Sequence, residues 1–280
     1  MEIISCAAEM MVFGAKWRKE DKTVGLVPTM GFLHEGHLSL AKAARSANEI
    51  LVMSIFVNPI QFGEGEDYEV YPRDLARDAK LAETVGVDYI FNPTPADMYG
   101  DDFQTTVKVA KLTEGLCGAS RPVHFQGVTT VVNKLFNIVQ PANAYFGQKD
   151  AQQVAVIEKM VQDLNMPVNI VRVPIVREAD GLALSSRNIY LSAEERKQAL
   201  VLSQSTVLAA KLFEAGERDA DTIKKAVIEH IKTSALAEIE YVEIVNAKTI
   251  QPQTKLTGLA MLAMAVRFGK TRLIDNVILQ

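Results

Sequence analysis

Residues 24–44 read VGLVPTMGFLHEGHLSLAKAA, and this segment decides the fold class. Its apolar start predicts a short buried strand over 24–27, the Pro-Thr-Met-Gly stretch predicts a turn, and the apolar periodicity after it predicts a helix over 36–48. His34 and His37 therefore fall on the first turn of a helix that leaves the end of a strand. Backbone N–H groups without helical partners and the positive end of the helix dipole make such a place suited to an anion, above all to phosphate.

The two histidines are three residues apart, so they share one face of the predicted helix and both can reach one polyphosphate. Gly31 and Gly36 leave room for a ligand to touch the backbone. A zinc site is the alternative for such a pair. The pattern disfavours it, because the spacing is not His-Glu-x-x-His and no third cysteine or histidine lies near in the sequence.

The first part of the chain alternates predicted strands with predicted helices. The predicted strands cover 24–27, 50–57, 87–91, 142–146 and 168–173. The predicted helices cover 36–48, 72–85, 127–139 and 150–164. Such alternation implies parallel βαβ units, with helices on both faces of one sheet and with ligands bound beyond the carboxyl ends of the strands.

The rhythm changes near Pro174. A small hairpin around Asp180-Gly181 is followed by a capping box at Ser192, which opens a helix predicted to run to about Ala215. A second helix is predicted over 221–234, and strand-like segments over 239–245, 259–266 and 272–278. The middle one is apolar enough to be a helix instead. The sequence therefore predicts an α/β domain over 1–173 and a smaller α+β domain over 174–280.

Composition bounds the class of protein. The chain has 280 residues, a hydrophobic fraction of 48%, a charged fraction of 23% and a net charge of −4, as in a globular protein with a substantial core. This balance argues against a protein that coats nucleic acid, and no apolar run is long enough for a membrane span. Cys6 and Cys117 are too few for a disulfide framework. Without a basic leader at its N-terminus, the chain is predicted to be cytoplasmic.

Polar side chains follow the second predicted strand. Asn58 and Gln61 come at its end, where amides can bind hydroxyl and carboxylate groups without adding charge. An ordinary Asn-Pro turn is the alternative interpretation. Arg121 and His124 stand in a loop before a predicted helix, where they would either meet an acidic ligand or be exposed to solvent.

Two later segments carry cations and hydroxyls. Lys149 follows a strand and a glycine, where it could hold a phosphate, and Gln153 lies on the first turn of the helix that Asp150 would cap. Ser185–Arg187 could wrap a polyphosphate, with the guanidinium as the charged clamp, or could be a serine-rich connector.

Two acidic stretches are weaker candidates. The run 63–67 is interpreted as a solvated flexible loop. Asp74 and Asp78 lie four residues apart on the helix predicted to begin at Pro72, and either could help place Mg2+ beside a nucleotide, although a surface helix is the simpler explanation of the spacing.

The sequence contains no arrangement typical of a covalent nucleophile and no P-loop. The residues therefore predict a nucleotide-binding site that stabilises phosphoryl charge with fixed donors.

The set of motifs resembles the pantothenate synthetase (pantoate–β-alanine ligase) family. The matching segments, in the family's order, are Pro28–Gly31, His34–His37, Phe56–Pro59, Gln61-Phe62, Tyr71–Arg73, His124–Val128, Phe146–Asp150, Gln153 and Ser185–Asn188. The two-histidine motif alone would indicate only the wider nucleotidylyltransferase superfamily, whereas the combination is highly specific.

The resemblance implies a Rossmann-like first domain that binds nucleotide and pantoate, a smaller lid-like second domain, and a homodimer. It also implies a reaction in two steps. The carboxylate of (R)-pantoate attacks the α-phosphate of ATP and gives pantoyl adenylate and pyrophosphate. The amine of β-alanine then attacks the acyl adenylate and releases pantothenate and AMP.

The resemblance also assigns site residues. The catalytic groups would be His34, His37, Lys149, Ser185, Ser186 and Arg187. The ATP site would further include Pro28, Thr29, Met30, Gly31, Gly36, Gly147, Asp150, Val176 and Leu184. Pantoate would be bound by Gln61 and Gln153, with Asn58 and Met30 close by. A possible substrate loop would contain Arg121, His124 and Tyr71, and Asp78 would be the acidic partner of Mg2+.

The chain departs from the family pattern at two places: Leu184 stands where many relatives have methionine, and Gln148 where many have glutamate. Neither change removes a charge-bearing catalytic group, so activity is expected to survive.

Two other functions share part of this pattern. A nucleotidylyltransferase that attaches AMP to a phosphate would need a second cationic site for its acceptor, whereas Gln61 and Gln153 suit an uncharged hydroxyl and a carboxylate. A non-catalytic nucleotide-binding regulator would have no need for the intact His34, His37 and Lys149.

Overall fold

The computed structural model describes residues 1–280, and six of its strands form one parallel sheet. These strands are β1 (Glu2–Ile4), β2 (Val24–Thr29), β3 (Ile50–Ile55), β4 (Tyr89–Phe91), β5 (Asn143–Gly147) and β6 (Asn169–Val173). Their order in the sheet is β1-β4-β3-β2-β5-β6, and every neighbouring pair is parallel. The chain proceeds from β2 to β3 and β4 on one side and then crosses to β5 and β6 on the other. The carboxyl ends of β2 and β5 therefore form the topological switch point, where α/β sheets bind their ligands.

Helices connect these strands. They are α1 (Ala7–Lys19), α2 (Glu35–Ala47), α3 (Leu75–Thr84), α4 (Pro95–Met98), α5 (Cys117–Ser120), α6 (His124–Val139) and α7 (Ala151–Asp163). Apolar residues of α2 and α3, such as Leu40 and Ala82, share a buried core with Val27 and Met53 of the sheet. The predicted α/β architecture with a parallel sheet is confirmed.

Helix α3 begins later than predicted. Pro72 lies outside it, and the helix starts at Leu75 because the Asp74 carboxylate accepts a hydrogen bond from the Arg77 N–H at 3.0 Å and so caps the first turn. Strand β1 and helix α1 had no counterpart in the sequence prediction.

The C-terminal part contains three further helices and an antiparallel sheet. The helices are α8 (Ala193–Gln198), α9 (Val201–Glu214) and α10 (Ala220–Ile231), and the strands are β7 (Ala237–Asn246), β8 (Ala260–Phe268) and β9 (Thr271–Leu279). The helix predicted from the capping box at Ser192 is two helices. The ambiguous apolar segment is the central strand β8, which is almost wholly apolar because it is buried on both faces.

The contacts divide the chain into two units. The first comprises residues 1–110, 121–148 and 156–174, and the second comprises residues 111–120, 149–155 and 175–280. The two short segments belong to the second unit because Leu116 and Ala151 pack with Met261 and Ala263 of β8. The simple division into 1–173 and 174–280 did not anticipate them. None of the helices is both long enough and apolar enough to cross a membrane.

Candidate active site

The turn after β2 lies at the switch point of the first unit. Pairing of β2 with β5 ends at Leu26, whereas pairing with β3 continues to Thr29. The nitrogen of Pro28 is on the β5 side, so its missing N–H interrupts no hydrogen bond of the sheet. The Thr29 hydroxyl donates to the Ser54 carbonyl at 2.7 Å and accepts from the Gly31 N–H at 3.1 Å. These bonds fix the turn at the end of the strand.

Gly31 is required at this turn for two reasons. Its φ of +84° lies in the region that side chains disfavour. A Cβ at this position would also lie 2.9 Å from the Ile55 Cγ2 atom and 3.0 Å from the Asp78 Oδ2 atom. The glycine therefore lets the chain pass closely over β3 and α3 before it enters α2.

Asp78 holds the segment that leads to the histidines. Its carboxylate accepts hydrogen bonds from the Phe32 and Leu33 N–H groups, both at 2.7 Å, and its side chain is only 1% exposed. Burial raises the pKa of Asp78, while the two N–H donors and the guanidinium of Arg77 act against that rise. Both carboxylate oxygens are thus committed to the backbone. This geometry gives Asp78 a structural role in the segment before α2, and its role as the acidic partner of Mg2+ stays a prediction.

No group of three or more histidine, cysteine, aspartate or glutamate side chains is arranged to hold a metal ion.

We expect Asp78→Asn to lower the free energy of unfolding by about 2 kcal/mol, because the amide nitrogen would face a backbone N–H that then loses its acceptor. Equilibrium unfolding in urea measures the change. Asp74→Asn is the matched control on the same helix, since asparagine caps a helix as well as aspartate does. Equal losses in the two variants would contradict the structural role of Asp78.

The two histidines lie at the start of helix α2, where the sequence predicted its first turn, and their rings cap it. His34 is the N-cap residue, and its Nδ1 atom accepts from the Gly36 N–H at 3.1 Å. The Nδ1 atom of His37 in turn accepts from the His34 N–H at 3.3 Å. The ring centroids are 4.0 Å apart, with the ring planes tilted by 31°. A nitrogen that accepts a hydrogen bond carries no proton, so each neutral ring has its proton on Nε2. Both imidazoles are therefore set to donate through Nε2.

A buried amide pair lies beside the switch point. The Asn58 Nδ2 atom donates to the Gln61 Oε1 atom at 3.0 Å, and the Gln61 Nε2 atom donates to the Met30 sulfur at 3.2 Å. The Tyr99 hydroxyl donates to the Asn58 Oδ1 atom at 2.7 Å, and burial raises the pKa of Tyr99, so it remains a neutral donor. Asn58 and Gln61 are 1% and 7% exposed. The structure thus brings Met30, Asn58 and Gln61 together in a fixed orientation.

Helix α6 holds the backbone of this amide pair. The Gly127 carbonyl accepts from the Asn58 Nδ2 atom at 3.2 Å, and a Cβ at position 127 would collide with the backbone of Ile60 and Gln61. The Nδ1 atom of the buried His124 lies 3.1 Å from the Gln61 carbonyl oxygen. His124 therefore contacts Gln61 itself, in addition to any contact with a ligand.

Arg121 is paired with a carboxylate. Its Nε atom donates to the Glu66 Oε1 atom at 2.8 Å, and its Nη2 atom donates to the other carboxylate oxygen. The acidic run 63–67, interpreted from sequence as a solvated flexible loop, is therefore anchored through Glu66. Tyr71, the third residue of the possible substrate loop, is 5% exposed and packs edge-on against Phe62.

This ion pair gives a prediction for pH. Burial alone would raise the pKa of Glu66, but the hydrogen bonds and charge of Arg121 outweigh it, and the pKa lies below the ordinary 4.5. The stabilisation is therefore present above about pH 4.5 and is lost as the pH falls through the lower folded-state pKa. We expect Arg121→Met to cost about 1 kcal/mol of unfolding free energy at neutral pH, with the deficit shrinking in acid.

Unfolding in urea at neutral and acidic pH measures this deficit. Arg73→Met is the control, because Arg73 donates to the backbone carbonyls of Tyr68 and Tyr71 and not to a carboxylate. Its deficit should not change with pH. A deficit for Arg121→Met that is constant with pH would contradict the assignment.

A single turn of 3-10 helix over Gln148–Asp150 precedes α7, and residues 149–155 of this stretch belong to the second unit. Lys149 and Asp150 lie in this turn, and Gln153 lies in the first turn of α7. The Asn276 Nδ2 atom, from β9, donates to the Lys149 carbonyl at 2.9 Å. The backbone of Lys149 is therefore anchored on the small sheet.

The neighbouring Gln152 holds the segment 111–120. Its Oε1 atom accepts from the Cys117 N–H at 3.0 Å, and its Nε2 atom donates to the Leu112 and Gly115 carbonyls at 2.9 and 2.8 Å. Its side chain is thus committed to structure.

The segment Ser185–Arg187 extends from the predicted hairpin. The Leu184 N–H donates to the Val176 carbonyl at 3.0 Å, and the Ser185 side chain accepts from the Arg187 N–H at 3.2 Å at the start of a 3-10 turn over Ser186–Tyr190. The Asn188 Nδ2 atom ties this turn to the Glu178 carboxylate and the Ala183 carbonyl, at 2.9 and 3.1 Å. These hydrogen bonds hold the segment in a defined conformation.

Sequence analysis did not single out four residues whose side chains hold candidate residues or their neighbours in place: Tyr99, Arg177, Asp275 and Asn276. Each acts through a partner far away in the chain, as in the bond between Tyr99 and Asn58, which are 41 positions apart. No local pattern marks such a pair.

Comparisons with known proteins point to one family. The family model described as pantoate-beta-alanine ligase matches residues 2–278. The chain is 56% identical to the pantothenate synthetase of Heliobacterium modesticaldum over 280 residues, which cover 100% of both chains. It superimposes on the crystal structure of pantothenate synthetase from Thermus thermophilus with a TM-score of 0.94, at 46% identity, over 99% of each chain.

A further solved structure is that of pantoate-beta-alanine ligase from Francisella tularensis, complexed with beta-gamma ATP and beta-alanine. Its TM-score is 0.80 at 32% identity, over 99% of this chain and 97% of that one. The matched residues include the histidine pair, the buried amides and the C-terminal unit. The chain belongs to the pantoate–β-alanine ligase family.

Proposed function

We propose that this chain condenses (R)-pantoate with β-alanine to pantothenate at the expense of ATP, through a pantoyl-adenylate intermediate. The observation that carries the proposal is the pair of imidazoles at the start of α2. Their Nδ1 atoms cap the helix, so their Nε2 protons are the donors, and they stand at the helix N-terminus, where the helix dipole favours phosphate.

In the first step the pantoate carboxylate attacks the α-phosphate of ATP, and pyrophosphate leaves. Phosphoryl transfer depends mostly on positioning and on neutralising charge. His34 and His37 donate through Nε2 to phosphate oxygens, with His34 most involved in the transition state. They need no proton transfer for this, since the neutral ring is already the donor.

Lys149 and the loop Ser185–Arg187 are assigned to the β- and γ-phosphates, where a cation and hydroxyl donors stabilise the charge that develops. The anchors at Asn276 and Asn188 support this assignment, because a pre-positioned donor costs little reorganisation at the moment of reaction.

The buried amides are assigned to pantoate. Gln61 and Asn58 present neutral polar groups beside Met30, which suits a ligand that carries a carboxylate and hydroxyls. Gln153, on the first turn of α7, is the second assigned pantoate residue. The amine of β-alanine then attacks the acyl adenylate and releases AMP, and the Francisella tularensis relative is described with beta-alanine bound.

Three parts of the proposal rest on the family resemblance. Magnesium enters with ATP as part of the substrate, which suits an ion that is usually held by phosphate oxygens and few protein carboxylates. The chain works as a homodimer, and it works in the cytoplasm.

AMP formation from ATP and Mg2+ tests the proposal. AMP should appear only when both pantoate and β-alanine are present, in equal amount to pantothenate. Pyrophosphate exchange into ATP should require pantoate but not β-alanine. No response to pantoate would overturn the proposal and favour a nucleotidylyltransferase with another acceptor.

A further inference from the structure

Two adjacent residues of the edge strand β9 form hydrogen bonds to two different segments of the second unit. The Asn276 amide donates to the Lys149 carbonyl at 2.9 Å. The Asp275 carboxylate accepts two hydrogen bonds from the Arg177 guanidinium, at 2.6 and 2.9 Å. Lys149 and Arg177 are far apart in the chain, so β9 is the element that connects them.

Arg177 links Asp275 to the segment Ser185–Arg187. Its Nη1 atom also donates to the Gly181 carbonyl at 3.1 Å, and its backbone pairs with Ala183 across the hairpin. The same hairpin carries the carbonyl and carboxylate that hold Asn188, next to Ser185–Arg187. The loop is therefore linked to β9 by an unbroken series of hydrogen bonds.

The contacts of Asp275 and of Asn276 lie on opposite faces of the small sheet. Asp275 pairs in register with Met264, which belongs to the core with α9 and α10, whereas Asn276 pairs with Ala263, which packs with Ala151 of α7. Successive side chains of a strand point to opposite faces, so one dipeptide can reach both segments. A slip of one residue would exchange the two side chains.

Burial makes the contacts of both Asp275 and Asn276 rigid. The Asp275 side chain is 1% exposed and the Asn276 residue 5% exposed, and the Asn276 N–H donates to the Asp275 Oδ1 atom at 2.8 Å. A buried, fully bonded carboxylate and amide have few alternative conformations. Neither residue belongs to the groups assigned to ATP or to pantoate.

We propose that Asp275 and Asn276 are positioning residues that hold Lys149 and Ser185–Arg187 at a fixed separation for the departure of pyrophosphate. The inference rests on the proposed function of those two segments. It requires that loss of either contact slows the step in which pyrophosphate is formed. The attack of β-alanine on the finished adenylate should keep its rate.

The test uses Asn276→Ala, which removes the donor to Lys149, and Asp275→Asn, which keeps the size and one acceptor but removes the charge. The matched controls are Asn246→Ala and Glu240→Gln. Asn246 caps a turn of the same sheet, and Glu240 forms a similar paired contact with Arg272, at 2.9 Å for both bonds. Thermal unfolding of all four variants reports the structural cost.

The measurements are pantoate-dependent pyrophosphate exchange and, separately, the reaction of preformed pantoyl adenylate with β-alanine. We expect the rate of pyrophosphate exchange to fall about 10- to 100-fold in Asn276→Ala and Asp275→Asn. The rate of the reaction between pantoyl adenylate and β-alanine should stay within about twofold of that of the unsubstituted protein. The double variant should be little slower than the slower single variant, because the loss of one contact already lets the distance between Lys149 and Ser185–Arg187 vary.

Equal losses in both half-reactions, or losses no larger than in the controls, would overturn the inference while leaving the proposed function intact. If Asp275→Asn does not fold, Asn276→Ala decides alone, because it leaves no buried charge unpaired. Absence of pantoate-dependent exchange in the unsubstituted protein would instead overturn the proposed function, and this inference with it.

Discussion

Replacing His34 with alanine is expected to slow pantoyl-adenylate formation by about 10²- to 10³-fold, because a donor aimed at developing phosphoryl charge is lost. Pantoate-dependent pyrophosphate exchange measures the effect. The same change removes the N-cap acceptor for Gly36 and should lower the free energy of unfolding by about 1 kcal/mol. Two consequences of one substitution must therefore be separated.

His34→Asn separates them. Asparagine is a good N-cap residue and restores the acceptor for the backbone, but it carries no donor at the place of the imidazole Nε2 atom. We expect near-normal stability together with the same loss of exchange. His230→Asn, in the last turn of α10, is the control for loss of a histidine elsewhere. Near-normal exchange in a folded His34→Asn protein would refute the catalytic role.

Replacing Gln61 with glutamate is expected to raise the KM for pantoate by about 10- to 100-fold, with the KM for ATP changed by less than about threefold. The new carboxylate can still accept from Asn58, but it cannot donate from the place of Nε2, and it repels the pantoate carboxylate. Steady-state kinetics with each substrate varied in turn measures the two constants.

Gln162→Glu makes the same change of charge at an exposed position on α7 and should leave both constants unaltered. Since Gln61 is buried, a carboxylate there also costs stability, so Gln61→Ala is the second variant. A rise confined to the KM for ATP in either variant would refute the assignment of Gln61 to pantoate.

Most of the regular structure followed from local patterns. The strands of the parallel sheet from β2 onwards and the helices α2, α6 and α7 were predicted within a few residues, because each combines an apolar run with a clear start or stop. Helix α1 was missed. One of its buried positions is Gly14, which packs against the Val139 carbonyl and breaks the apolar stripe that would otherwise mark a helix.

The site was predictable to the extent that its chemistry is local. The two histidines at the start of α2 and the amides after β3 are marked by their neighbours in the chain, and the motifs identify the family. The roles of Asp78, Arg121 and His124 were not predictable. Each side chain is engaged by partners more than 40 positions away, and a carboxylate that accepts two backbone N–H groups looks the same in sequence as one that awaits an ion.

Local spacing, capping and periodicity therefore predict most of the elements and the fold class, and the motifs identify the family, because these signals lie between residues a few positions apart. The tertiary contacts settle which polar groups are committed to structure. They pair Asp78 with the chain before His34, Arg121 with Glu66, and Asn276 with Lys149. Such pairs form because burial penalises every polar group that lacks a partner, and the partner is whichever group the fold brings within reach.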